Sequence, residues 1–275
     1  RVQRYGWDKA AVHYERTWQR QLEPAQAALL AMASPTPGEI VLDVACGTGL
    51  VSLRAAALVA PGGSVRGTDI SDAMVAIARE RAGAPGFANC SFDRMEAEQL
   101  EIESGSVDVV LCALGLMYMP DPERAVAEMH RVLRPGGRAV CVVWGDRRNC
   151  GWAGIFRIVD ARVQSEVCPM FFRIGTGDCL ERAYASAGFS GMRGRRFSST
   201  LEYADSEEAC EAAFVGGPVA LAYSRFTEDM RTEACAEYLA SIEAWRRGDG
   251  YAVPGGVIVV MGKKQGESDV QSCSA

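Results

Sequence analysis

Two acids and a pair of glycines carry the first chemical signal in this chain. In VLDVACGTGL (41–50), Asp43 sits near the end of an apolar run, and Gly47 and Gly49 follow at once. Asp69 comes near the end of the next apolar run, SVRGTDI. Glycine frees the backbone for angles that other residues avoid and lets a large ligand come against bare peptide. A helix opening directly behind Gly49 adds unpaired N–H groups and a partial positive charge. A carboxylate at the tip of the following strand can accept both hydroxyls of a ribose. The chemistry implied is the binding of an adenosine-containing cofactor. A dinucleotide site wants G-x-G-x-x-G/A, but here the sixth position is Ser52 and Asp43 stands where it would repel a pyrophosphate. A cofactor with a cationic centre and an ammonium group would be attracted there instead.

These residues need a strand–turn–helix frame, and the pattern supplies one. IVLDVA reads as a strand buried on both faces, GLVSLRAAALVA as a helix that Pro61 stops, and SVRGTDI as the next strand. Ser71 caps the helix DAMVAIARERA, NCSFDRM and VDVVLCAL are further strands, and Asp121 with Pro122 opens the helix PERAVAEMHRVL. RPGG turns into a fifth strand, RAVCVVWG. Strand and helix alternating in this way predict a parallel sheet with helices on both faces. Ahead of it, residues 7–32 have helical spacing, with Pro24 as an interruption. Beyond residue 150, AGIFRIVDARVQSEV and DCLERAYASAG are predicted helical, as are 205–214 and 227–246. MRGRRFSSTLEY alternates like an antiparallel strand, and GVIVVMGKK is the last strand.

The 275 residues suffice for one large domain or a core with an insertion. A net charge of -6 speaks against a nucleic-acid footprint, and Arg193, Arg195 and Arg196 read as the solvated face of a strand. Ten cysteines without a CxxC pair, several inside apolar runs, predict reduced, buried thiols and a cytoplasmic protein. With two histidines and no clustered ligands, no metal site is expected. No apolar run suits a membrane span, and no secretory signal is visible. The chain begins at Arg1 rather than Met, so a few native residues are expected to be missing, and the polar tail GKKQGESDVQSCSA is expected to be disordered.

VLDVACGTG resembles the first motif of the class I S-adenosylmethionine-dependent methyltransferases, with Ala45 in place of the first glycine of D/E-x-G-x-G-x-G. GTDIS resembles their second motif, MEAEQL the segment that holds the adenine, and VDVVLCALGLMYMPDPERAVAEMHRVLRPGG the block of the fourth strand and following helix. The likeness is greatest to the ubiquinone and menaquinone C-methyltransferase-like, small-molecule branch, and it is good over about residues 38–146. It implies an α/β, doubly wound, mostly parallel seven-stranded sheet of the Rossmann-like methyltransferase fold, with an antiparallel last strand and a helical insertion. It divides the chain into an N-terminal helical lid (1–35), a cofactor-binding core (36–150), a helical insertion with the last strands (151–263) and the tail (264–275). S-adenosylmethionine is the implied cofactor and S-adenosylhomocysteine the product. Asp43, Ala45, Cys46, Gly47, Gly49, Asp69, Ile70, Met74, Glu96, Ala97 and Leu114 are the cofactor-binding residues carried over. Asp43 belongs near the methionine ammonium, Asp69 on the ribose, and Glu96 and Ala97 at the adenine.

Methyl transfer from a sulfonium is an in-line displacement, so the protein's task is to place a nucleophile close and dry. A phenol or carbon acid needs a base, whereas an amine or thiolate needs only proximity. His13 is the candidate base and Tyr14 a candidate lid or pocket residue, while His130, mid-helix, reads as structural. Trp152, Phe156, Met170, Phe171, Phe172, Phe214, Tyr223 and Phe226 either line an apolar or aromatic acceptor pocket or build the insertion's own core. Cys150 and Cys168 are the thiols that an arsenite-methylating pocket would use. The expected partner is a small molecule, with no nucleic acid and no membrane, and the chain is expected to be a monomer or homodimer. A nicotinamide-dependent oxidoreductase and a non-catalytic S-adenosylmethionine-binding protein remain the competing readings.

Overall fold

Eight strands share one sheet in the computed structural model, which describes residues 2–163 and 170–266. The chain runs α1 (Val2–Ala33), β1 (Ile40–Val44), α2 (Leu50–Val59), β2 (Ser64–Asp69), α3 (Asp72–Ala82), β3 (Cys90–Arg94) and β4 (Val107–Ala113). Then come α4 (Pro122–Val132), β5 (Leu133–Trp144), α5 (Gly154–Asp160), α6 (Cys179–Ser186), β6 (Ser190–Tyr203) and α7 (Ser206–Phe214). The chain closes with α8 (Ala220–Tyr223), α9 (Glu228–Ile242), β7 (Arg246–Arg247) and β8 (Gly250–Lys263). The order across the sheet is β3-β2-β1-β4-β5-β8-β6, with the two-residue β7 alongside β8. Strands β1 to β5 are parallel, and β8 runs antiparallel to both β5 and β6. The chain order reverses between β1 and β4, the place where such sheets bind ligands at their carboxyl ends.

Local signals explain the frame. In β1 every residue after Ile40 is buried, as its unbroken apolar run requires. Ser71 accepts a hydrogen bond from the Met74 N–H and caps α3, and Asp121 does the same for Arg124 at the start of α4. In α4, Ala125, Val126, Met129 and Val132 form the buried stripe. One apolar core runs from α1 through the sheet to α9, and a smaller cluster of Leu53, Val75, Ala78, Phe92 and Cys46 packs α2 and α3 over β3.

Several expectations need correction. Pro24 does not interrupt the first helix, which is continuous from Val2 to Ala33. Leu22, Ala25, Leu29 and Leu30 are buried around it, and their packing outweighs one missing hydrogen bond. The last strand begins at Gly250, not Gly256. It passes through Pro254 because β5 pairs with it only from Val257 onward, and β6 carries the earlier stretch. The last helix stops at Ile242, and Arg246 stacks 4.9 Å from the Tyr251 ring in the short β7–β8 pair. The helix expected over 153–167 ends at Asp160, and its part from 164 lies outside the described residues. Gly262 and Lys263 belong to β8, and the Lys264 ammonium donates to the carbonyls of His130, Arg131 and Leu133. The remainder of the expected tail, 267–275, lies outside the described residues.

The cysteines are not all reduced. Cys210 on α7 and Cys235 on α9 are joined, with Cα atoms 5.8 Å apart. The two helices lie side by side with Phe214 against Tyr238, and this puts the half-buried thiols in facing positions. Cys46, Cys90, Cys112, Cys141, Cys150 and Cys179 are free. Residues 191–196 of β6 are exposed, as read, with Arg195 over Phe197 at 4.8 Å.

Candidate functional site

A cavity of about 520 Å³ lies over the carboxyl ends of β1, β2 and β4. Its floor is the bare turn between β1 and α2, from which Ala45 and Gly47 line it. Gly49 is left-handed at φ 82° and leads into α2 with no side-chain cap of its own. A β-carbon on Gly49 would come within 2.9 Å of Phe92, which keeps helix and sheet close.

Asp69 closes β2 and is 8% exposed. Its two carboxylate oxygens each accept a backbone N–H, from Gly47 at 2.9 Å and Ser71 at 2.9 Å. Burial pushes the carboxyl above its ordinary range, and these N–H groups oppose the shift. Each oxygen keeps a further lone pair for a ligand hydroxyl. Ile70, Met74, Met95 and Ala97 make an apolar slot beside it.

Asp43 stands behind the turn and is 1% exposed. Its Oδ2 accepts from the Ser52 hydroxyl at 2.5 Å, while its Oδ1 is buried with no partner. Burial pushes its carboxyl up to about 7, against the Ser52 hydrogen bond. The hydroxyl at the sixth position of the glycine motif is therefore spent on the acid that precedes it.

The opposite wall is aromatic. Trp7 packs edge-on to Tyr118 at 4.9 Å and to Tyr14 at 5.8 Å, and Tyr118 packs on Phe171 at 5.1 Å. Tyr14 also lies against the open face of Gly47. Burial drives the Tyr14 and Tyr118 phenols above their ordinary range, and Asp69 adds to the shift at Tyr14. Helix α1 is tied over the cavity from both sides. Arg4 pairs with Asp72, Asp8 accepts from the Ser71 hydroxyl at 2.6 Å, and Arg81 donates to Glu15 at 2.7 Å. On its other flank Arg16 pairs with Glu211, and Gln21 bonds to both backbone groups of Glu202.

Of the sequence-predicted residues, Ala45, Gly47, Asp69, Ile70, Met74, Ala97, Leu114 and Tyr14 line this cavity. Others do not. The Glu96 side chain is exposed, because a turn pairs Glu96 with Gln99 and presents Ala97 and Glu98 instead. Cys46 turns into the small α2–α3 cluster, and Gly49 packs against Phe92. Asp43 and Cys46 border a second, smaller void. His13 lies against Arg16 and Glu211 and is not among the residues that line the cavity. His130 packs on Phe189 at 4.8 Å. Cys150 is 3% exposed, approaches the Gly256 carbonyl and is pushed by burial up to about 12; Cys168 lies outside the described residues. No cysteine among the described residues lines the cavity, so the arsenite pocket has no support. Most of the bulky residues after 150 build core: Trp152, Phe156, Phe171 and Phe172 form one aromatic cluster, and Phe214, Tyr223 and Phe226 are in another. Met170 alone of the eight reaches the cavity wall.

Sequence reasoning missed Trp7, Glu98, Met117, Tyr118, Met119, Arg173 and Ile174. Trp7 and Tyr14 are two helical turns apart and share a face, a signal that was available. Glu98 follows Glu96 by one alternation. Arg173, held by Glu123 at 2.6 and 2.8 Å, had no local signal at all. Among the described residues no three His, Cys, Asp or Glu side chains are grouped to hold a metal, and no helix is long and apolar enough to cross a membrane.

Comparison with known proteins fits this geometry. Residues 41–137 match the methyltransferase domain family. The ubiquinone/menaquinone biosynthesis C-methyltransferase of Methylobacterium nodulans is 41% identical over 121 residues, covering 44% of this chain and 47% of that protein. The chain thus spans about half the length of the first curated relatives it matches, 47% and 51%. The demethylmenaquinone methyltransferase of Geobacillus kaustophilus is 33% identical over 214 residues, covering 76% of this chain and 86% of that one. The solved YcgJ protein of Bacillus subtilis shares the fold, with a TM-score of 0.63, 18% identity, and coverage of 88% of this chain and 99% of that one. With the bare turn, the acid at the tip of β2 and this coverage together, the chain belongs to the class I S-adenosylmethionine-dependent methyltransferases, in the ubiquinone and menaquinone C-methyltransferase-like group.

Proposed function

We propose that this protein transfers a methyl group from S-adenosylmethionine to an apolar, aromatic small molecule. The observation that carries the reading is one cavity with two unlike halves: a bare-backbone seat with Asp69 at one side and the Trp7–Tyr118 wall at the other. The residues fit the cofactor. Asp69 has lone pairs for the ribose hydroxyls, the Ile70–Met74–Ala97 slot suits a flat base, and the bare turn before α2 lets a ligand come against the backbone. When bound, the cofactor supplies an activated methyl on a sulfonium together with a good leaving group.

The chain's own residues then bind, orient and dry the acceptor. Trp7 and Tyr118 offer faces and edges to a flat ring, and α1 shuts water out from above. The phenols of Tyr14 and Tyr118, held protonated by burial, donate hydrogen bonds and do not take protons at neutral pH. Glu98 is the wall carboxylate outside the ribose seat and can receive a proton from the acceptor. The named activity of the Methylobacterium nodulans relative supports a ring carbon of a quinol-type molecule as the nucleophile. In this reading residues 1–35 act as the lid, 36–150 as the cofactor core and 151–263 as the acceptor side.

Calorimetry tests the reading. S-adenosylhomocysteine binds the wild-type protein, NAD and NADP do not, and Asp69→Asn weakens the binding about tenfold or more, the scale of a lost charge-assisted hydrogen bond. Binding of NAD with no response to S-adenosylhomocysteine overturns it.

A further inference from the structure

Two charged side chains interrupt an otherwise apolar stretch of the cavity wall. Among the described residues that line the cavity, Arg173 is the one cation, and Glu98 is the acid besides Asp69. Around them stand Met117, Met119, Pro120, Met170 and Ile174. One short piece of chain steadies both charges. Glu123, in the first turn of α4, accepts from the two terminal nitrogens of Arg173 at 2.6 and 2.8 Å. The backbone N–H of Asp121, which caps that helix, donates to the Glu98 carboxylate at 3.3 Å, and Arg124 donates to the Glu98 carbonyl at 2.9 Å. Phe171, two residues before Arg173, packs on Tyr118 at 5.1 Å and joins this segment to the aromatic wall. Arg173 therefore belongs to the acceptor side of the cavity.

A flat apolar ring makes no use of a charge on its wall, so the arginine calls for a further account. Glu123 is not among the residues that line the cavity; it grips the guanidinium from outside and fixes its direction. The hydrogen bonds from Arg173 hold the Glu123 carboxyl below its ordinary range, so the grip stays ionised at neutral pH. An oriented guanidinium recognises an anionic oxygen. The hydroxyl of a phenol becomes such an oxygen once its proton has gone, and Glu98 is the wall carboxylate that can take that proton. The proton moves from the hydroxyl oxygen to the carboxylate, leaving a phenolate and a neutral acid. We propose that Arg173 is the specificity-determining residue of the acceptor side, selecting an aromatic ring whose hydroxyl is ionised and holding its phenolate oxygen. The inference rests on the methyltransferase reading and narrows its acceptor from an aromatic molecule to an acidic phenol.

The test uses 4-nitrophenol, which absorbs differently as phenol and as phenolate, and 4-nitroanisole, the same ring with its oxygen methylated. Each is titrated into the S-adenosylhomocysteine complex of wild type, Arg173→Met and Arg173→Lys, at a pH where free 4-nitrophenol is half ionised. Wild type binds 4-nitrophenol about tenfold more tightly than 4-nitroanisole, the scale of a charge-assisted hydrogen bond, and the bound probe shows the phenolate spectrum. Arg173→Met weakens 4-nitrophenol about tenfold, removes the excess of phenolate and leaves 4-nitroanisole unchanged. Arg173→Lys keeps the charge and part of the preference. Should Arg173→Met weaken both probes alike or neither, the arginine is a structural tie to α4 and the inference is overturned. It is overturned as well if wild type binds both probes equally or binds neither. Failure of wild type to bind S-adenosylhomocysteine overturns the functional reading itself. Thermal melting of both variants separates a folding defect from a binding one: a melted Arg173→Met leaves Arg173→Lys to decide, and loss of its preference counts against the role of Arg173.

Discussion

At the scale of the residue, the acid before the glycine turn is the group with the most to reveal. Burial pushes the Asp43 carboxyl up to about 7, whereas an aspartate in an unfolded chain titrates near 4. The folded protein therefore holds a proton that the unfolded chain releases between these values. Its contribution to stability is present in full below about pH 4 and is lost as pH rises through about 7. Ligand-free wild type should lose ~2 kcal/mol more than Asp43→Asn between about pH 5 and pH 8, read from urea unfolding at each pH. Equal slopes for the two proteins would show that the acid is solvated. Asp43 was legible in the sequence as an acid in a buried strand. Its bond to Ser52 was not, because that contact depends on how α2 packs back on β1.

Elements explain which expectations held. The strands and helices of the core announced themselves through buried runs, caps and stops, since each is decided within a few residues of itself. The second half was harder because its boundaries are tertiary. Pro254 lies inside β8 only because of the neighbour it faces, and Cys210 meets Cys235 only because α7 and α9 run side by side. That bond makes a prediction for the element pair. Its partners are 25 residues apart, and opening a loop of that size removes ~3 kcal/mol by the chain-entropy argument. Cys210→Ser with Cys235→Ser, or a dithiol reductant, should lower the urea midpoint accordingly, and the reductant should have no effect on the double variant. The segment after β3 shows the same limit. Glu96 and Glu98 cannot be told apart until the turn that exposes one and presents the other is known.

For the whole molecule, the site is shared among distant parts of the chain: α1, the β1–α2 turn, the end of β2, the stretch after β4 and residues 170–174. Ion pairs and hydrogen bonds from α3 and α7 hold α1 across it. Trp7 and Tyr14 are the side chains through which that helix lines the cavity, and Trp7 is the one placed on the acceptor in the proposed function. Trp7→Ala should raise the acceptor KM about tenfold while changing S-adenosylhomocysteine affinity little, the scale expected for truncating a buried aromatic contact. Parallel losses in both constants would place Trp7 on the cofactor instead.

The contact between the two loops of the switch point reaches further than the site. Ala45 adopts φ 56°, a conformation rarely taken by a residue with a side chain, and a β-carbon on Gly115 would fall 2.4 Å from its methyl group. One side chain fits between these loops, and in this chain it stands at 45. The two positions are therefore a single choice written twice. Gly115→Ala alone should cost ~2 kcal/mol, while Ala45→Gly with Gly115→Ala should regain most of it, a coupling that a double-mutant cycle would measure directly.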